Sequence, residues 1–303
     1  MAINRAQIKK QLEEGLNAVF GLEYRRYPEE WRAGFDVETE SRKAYVEDVL
    51  MTGFGAAPVK AEGAGVAYDS ASEGYVSRYV FETISLAFAV TEEALEDGLY
   101  GNLGAKLSKA LARSMQHTKE VRCASVYNNG FSASFPGGDG VALFSTVHPL
   151  KNGGNGANML STAADLSETS LEDMLTLIGN TTDDRGLPLA LRAQRLLIPD
   201  ELQFVAQRLL YTDLRVDTAN NDLNAIKSMG LLPGGFAVNH RFTDTDAWFI
   251  KTDCPDGMKH IVRKAISGGM EGDFETGNLR FKKRERYIQG WSDWRGAFGT
   301  AGA

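Results

Sequence analysis

At 303 residues, 43% hydrophobic and 24% charged, the chain can bury a core as one large domain or two ordinary ones, and it is too evenly mixed for a disordered or fibrous protein. Acidic residues outnumber basic ones 40 to 33, a formal charge of −7, which excludes a chain-wide phosphate-gripping surface but allows a local basic strip. Two cysteines and four scattered histidines exclude a disulfide scaffold and a four-thiolate zinc site, offer no ligand-spaced metal cluster, and fit a reducing compartment. The longest apolar-leaning stretch, 84–90, is far short of the ~20 residues a spanning helix needs. No apolar run follows the charged N-terminus, so it does not read as a secretory signal. These features predict a soluble cytoplasmic protein with no membrane contact. The 32 glycines against 8 prolines predict long loops or hairpins.

The first segment predicts a helix: Asn4 can cap it, and Ile8, Leu12, Leu16, Val19 and Phe20 recur at helical spacing. Residues 24–40 mix Tyr24, Tyr27, Trp31 and Phe35 with charges and show no period, as either an extended arm lying on another surface or a surface loop would. A short helix is predicted over 42–51. Five glycines between 53 and 74 leave no room for an apolar face. With β-prone pieces at 66–68 and 75–79 around a polar tip at 69–74, this span predicts a projecting hairpin. An isolated hairpin is marginal in water, so a neighbour must hold it.

Ile84, Leu86, Phe88 and Val90 alternate with small residues, which predicts a strand packed on one face. Thr91 then sits at an N-cap position with Glu92 and Glu93 in the first turn. Leu95, Leu99, Leu103, Leu107, Leu111 and Met115 repeat every four residues, predicting a long helix to about 127, weakened early by Gly98, Gly101 and Gly104. Further on, Ser170-Leu-Glu-Asp173 has the form of a capping box, 195–198 reads as a buried strand, and Pro199 opens a helix. Strands are predicted at 236–239, 247–252, 260–266 and 279–289. This order of elements indicates an α+β fold rather than a wound parallel sheet.

Catalytic patterns are weak. Gly153-Gly-Asn-Gly156 lacks the lysine and hydroxyl of a phosphate loop, and the spacing of Gly98, Gly101 and Gly104 does not fit a dinucleotide turn. Cys254 lies six residues before His260, but Asp253-Cys-Pro-Asp-Gly257 reads as a turn. Cys123 reads as a buried apolar residue and His148 as a structural loop histidine. No catalytic, cofactor or metal residue is assigned. The strong feature is in the last strand, where Arg280, Lys282, Arg284 and Arg286 share one face. Such a strip is a docking site for carboxylates, a phosphate contact surface, or a solvated edge that resists aggregation. The acidic arm, with Glu29, Glu30, Asp36, Glu38 and Glu40, is the candidate partner, from the same chain or a neighbouring one.

Leu143-Phe-Ser-Thr-Val-His-Pro-Leu150 with the glycine-rich segment after it, Asp184-Arg-Gly-Leu-Pro188 followed by Leu196-Leu-Ile-Pro199, Asn221-Asp-Leu-Asn224 and Tyr287-x-x-Gly-Trp291 occur in that order. Together with the order of elements, they make the chain resemble tailed-bacteriophage major capsid proteins of the Hong Kong 97-type fold, in particular Mu-like major head subunits. The resemblance implies an N-terminal arm (1–52), an extension-loop hairpin (53–80), a peripheral domain with a spine helix (81–130), an axial domain (131–245) and peripheral return strands (246–303). It also implies a non-enzymatic subunit that assembles with itself, as hexamers and pentamers, into an icosahedral head around double-stranded DNA. An encapsulin-type compartment is the alternative. Partners would be separate scaffolding, portal and decoration proteins, with DNA on the inner face bound without sequence specificity. The product would be a virion built in the host cytoplasm. With only about 50 residues before the hairpin, a fused scaffold is not expected. The expected contacts between subunits are Trp31, Phe35, Glu38, Glu40, Lys60, Glu62, Asp69, Glu73, Arg78, Arg280, Lys282, Arg284 and Arg286.

Overall fold

The computed structural model describes residues 5–40, 42–91, 93, 100–214, 223–273 and 277–303. Helical spacing in the first segment produces α1 (Arg5–Tyr24), whose Leu16 and Phe20 are buried against Leu111 and Ala112 of α2 (Tyr100–Asn128). The Ser108 hydroxyl donates to the Leu16 carbonyl at 3.0 Å and pins the crossing. The four-residue repeat along α2 holds at Leu111, Met115, Cys123 and Tyr127, all buried, while Leu103 is 45% exposed. At 29 residues, α2 is about 44 Å long. The expected Asn4 cap, the first-turn Glu92, Leu95, Gly98, Leu99 and the Asn221-Asp222 pair lie outside the described residues.

Helices α1 and α2 cover one face of a four-stranded sheet. Its order is β1 (Asp36–Thr39), β10 (Met258–Gly272), β11 (Leu279–Trp291), β4 (Glu82–Val90). β1 runs parallel to β10, and the other pairings are antiparallel. Phe281 and Val90 meet Leu16, Phe20 and Leu111 beneath it. A second sheet is ordered β12 (Ala297–Thr300), β9 (Trp248–Thr252), β7 (Ala193–Ile198), β8 (Phe236–Val238). Its core takes Leu171, Met174 and Ile178 from α3 (Glu168–Gly179), Ala206 and Leu210 from α4 (Gln203–Tyr211) and Ile226 from α5 (Ala225–Met229). The cap of α3 falls three residues earlier than its sequence suggests: Ser167 accepts from the Ser170 amide and Ser170 from the Ser167 amide. A small ladder joins β5 (His148–Pro149) to β6 (Asn155–Gly156) through a turn at Gly153, where φ is +89°.

Two expectations are corrected. Residues 42–51 do not form a helix; β2 (Tyr45–Met51) pairs antiparallel with β3 (Glu73–Val80). Burial alternates residue by residue along β2, and Val46 and Val49 suit a pleated surface better than a helix. The hairpin's ladder is therefore at its root, closed by Thr52 and Ser72, and the expected piece at 66–68 carries no strand. The second correction concerns the aromatic arm. Trp31 and Phe35 are 3% and 4% exposed and pack with Cys123, Tyr127, Phe144 and Phe249 of their own chain. The Tyr127 hydroxyl donates to the Gly34 carbonyl at 2.8 Å. Large aromatics gain most where water is fully removed, and the groove beside α2 supplies that. They are core residues, not surface contacts.

Candidate functional site

Strand β11 sorts its charges by face. Leu279, Phe281, Lys283, Glu285 and Tyr287 point inward, Arg280, Lys282 and Arg284 are exposed, and Arg286 is half-buried. Alternate residues on a strand lie about 7 Å apart, so the cations form an even row. The facing positions are small on one side: Ala89, Ala87, Ser85 and Thr83 of β4. On the other side stand Glu271, Gly269, Ser267 and Lys264 of β10. Arg280 pairs with Asp273 at 2.5 Å. Among the described residues, no carboxylate lies within ion-pair reach of Lys282, Arg284 or Arg286.

The buried charges underneath fix that register. Lys283 donates to Asn17 at 2.5 Å and lies 5.0 Å from the ring centres of Phe20 and Phe281. Burial lowers its pKa, with Glu13 opposing. Glu285 pairs with Lys119 at 2.7 Å and accepts from the Tyr24 hydroxyl at 3.2 Å. Burial raises the Glu285 pKa, against the pull of Lys119. A slip of one residue would bury the arginine row and expose these partners, so the outward row follows from the inward pairing.

The acidic arm does not meet this row within the chain. Asp36 bonds Lys251, Glu38 bonds Lys259, and Glu30 accepts from the amide and ring of His240. Glu40 accepts from the Arg42 amide at 2.8 Å, which lowers its pKa. β1 does join the same sheet, but β10 separates it from β11. Around the hairpin, Arg78 lies over the Tyr45 ring and 3.6 Å from Glu47. Asp69 accepts from the Gly55 and Ser70 amides, which lower its pKa, and faces Arg185. Lys60, Glu62 and Glu73 are exposed. So are Phe54, Val66, Val59 and Tyr68, the last two almost completely.

Cys254 and His260, six residues apart in sequence, do not come together. Cys254 donates to the Pro255 carbonyl, while His260 lies 3.6 Å from Cys123 instead and packs between the tilted rings of Trp31 and Tyr287. Burial raises both thiol pKa values and, with Lys119 and Arg32, lowers that of His260 to about 3. Among the described residues no cluster could hold a metal ion.

Three polar clusters escaped the sequence. Lys259 gathers Glu38, Asp48 and Asp256 from three segments. Glu120 of α2 accepts from the Trp31 amide. His148 is fully buried, 2.6 Å from Asp139 and stacked on Trp294. His148 had a local signal, an aspartate nine residues earlier, and Lys259 had one in Asp256, three residues before it; Glu38, Asp48 and the Glu120–Trp31 contact join residues too distant in sequence to leave one.

A phage capsid protein family model matches residues 74–299. Among solved structures, the virus-like particle from Pyrococcus furiosus is similar at a TM-score of 0.55 and 12% identity, covering 97% of this chain and 99% of that one. The capsid of a native GTA particle matches at 0.54 and 12%, covering 90% of each chain. The capsid of Myoviridae Phage XM1 matches at 0.51 and 10%, also covering 90% of each. At these identities the likeness is one of fold, the Hong Kong 97-type capsid fold expected from the motifs. No curated protein matches.

Proposed function

This chain belongs to the phage capsid protein family, and from that premise we infer that its work is contact rather than catalysis. It is a structural major capsid protein, a virion component that associates with its own copies. The family match favours a phage shell over an encapsulin-type compartment. The finer proposal is an icosahedral head of hexamers and pentamers around double-stranded DNA, in the Mu-like branch, built in the host cytoplasm with separate scaffolding, portal and decoration proteins. In it, the sheet carried on α1 and α2 is the peripheral domain, the second sheet with α3, α4 and α5 is the axial domain, and the hairpin from β2 to β3 is the extension loop; this moves β9 and β12, expected among the peripheral return strands of 246–303, to the axial domain, and starts the hairpin at 45 rather than 53.

The observation that carries the proposal is an unmatched pair of surfaces on one chain. The outward sheet face holds Lys264, Arg280, Lys282, Arg284 and Arg286 against Glu271 and Asp273, the latter already paired with Arg280. The loop 52–72 and the first residue of β3 hold Glu62, Asp69 and Glu73 against Lys60, with apolar side chains bare to solvent. A loop from one copy laid across the sheet face of the next covers both. Repetition by symmetry turns weak contacts into a stable shell. Electron microscopy of purified particles tests this: closed shells with five- and six-fold capsomers are expected. A Lys282→Glu, Arg284→Glu double variant is expected to fold and remain unassembled. Normal shells from that variant would remove the sheet face from the interface, and a wild-type monomer that never assembles, even with scaffold, would overturn the whole reading.

A further inference from the structure

The arm and the hairpin root share one point of attachment to the body, the Lys259 ammonium. Lys259 of β10 is 5% exposed, and its Nζ lies 2.7 Å from Asp48 of β2, 2.7 Å from Asp256 and 3.2 Å from Glu38 of β1. An ammonium has three donors, and three carboxylates stand within ion-pair reach of this one, Asp48 accepting a hydrogen bond from it. Burial acts to lower the Lys259 pKa, but Asp256, Asp48 and Glu38 outweigh it and hold the group protonated. Asp48 also accepts from the Ser292 hydroxyl at 2.6 Å, and Ser292 in turn meets the Tyr79 hydroxyl at 2.6 Å. Asp256 sits at φ +59°, a left-handed turn position that aspartate tolerates, so the turn rather than the lysine fixes it. The two carboxylates that can move are Glu38, on an edge strand with four paired residues, and Asp48, at the base of the hairpin.

Three carboxylates around one cation leave two negative charges in excess. Each is drawn to the ammonium and repelled by the other two. At such short range the repulsions are of the same order as the attraction, because both follow the same distance law. We propose that Glu38 and Asp48 compete for Lys259, so that release of the arm tightens the hairpin root and release of the hairpin tightens the arm. For its place in assembly this rests on the reading above, in which a neighbour engages the hairpin; the competition itself is a property of the free chain.

Amide hydrogen exchange on the unassembled full-length chain tests it. Glu38→Gln is expected to slow exchange across 45–51 at least threefold, and Asp48→Asn to slow it across 37–40 by a similar factor. Lys259→Met is expected to speed both segments tenfold or more. If Glu38→Gln leaves 45–51 unchanged or speeds it, the competition is overturned, and this comparison decides even if Lys259→Met unfolds. Exchange is scored on free chains and the shell reading on particles, so each can fail without the other.

Discussion

Glu120 shows how burial sets the behaviour of one side chain. One carboxyl oxygen accepts from the Trp31 amide at 3.0 Å, and the other is buried without a hydrogen-bond partner. Burial raises its pKa to about 7, aided by Glu30 and opposed by the Trp31 amide and Arg241. The folded state therefore holds this proton more tightly than the unfolded chain, whose value is 4.5. The stability it contributes is full below that value and is lost as pH rises towards 7, on the order of 2 kcal/mol. Urea unfolding between pH 5 and 8 is expected to show the wild type weakening with pH and Glu120→Gln following a flatter curve. Lys119 and Glu285 behave differently because each completes the other. Lys119→Met leaves a buried carboxylate unpaired, an expected cost of about 3 kcal/mol. Adding Glu285→Gln is expected to recover a good part of that loss in the same denaturant titration, and no recovery would mean the pair is not the source of the cost.

At the scale of elements, the long β10–β11 ladder is the most demanding piece of geometry. Its register shifts between Lys264 and Ser267, and just beyond, Gly268 passes so close to its partner that a Cβ would land on the Lys282 carbonyl oxygen. Backbone cannot yield there as a flexible side chain can. Gly268→Ala is expected to destabilise by about 2 kcal/mol or more and to raise amide exchange on both strands around Lys282. An unchanged melting temperature would show that the strands separate at no cost. Much of the secondary structure was legible in the chain. Strict alternation announced β4 and β11, and the four-residue repeat announced α2, because both periods come from burying one face. The strand at 45–51 was misread because seven residues with two valines carry too little pattern to oppose a helix reading; its partner, β3, decides the matter.

At the scale of the whole molecule, the chain divides into a well-packed body and a loop with little of its own to hold it. Residues 52–72 touch the body where Arg185 meets Asp69 and the Ser70 carbonyl, and Thr52 and Ser72 already close the ladder beneath them. Replacing 54–70 with a two-residue Asn-Gly turn is expected to leave the melting temperature within a few degrees and to abolish shells under the microscope. A large fall in melting temperature would mean that the loop serves its own subunit instead. The sequence by itself determined which residues carry charge in alternation and where glycine forbids a core, since these depend on local spacing alone, and its motifs carried the resemblance to the family. Tertiary structure decided the rest. It drew Trp31 and Phe35 into the core because a groove beside α2 was there to bury them. It spent the arm's carboxylates on Lys251, Lys259 and His240, which no local pattern links to them. It left Lys282 and Arg284 facing outward because the inward side of β11 had its own partners to satisfy.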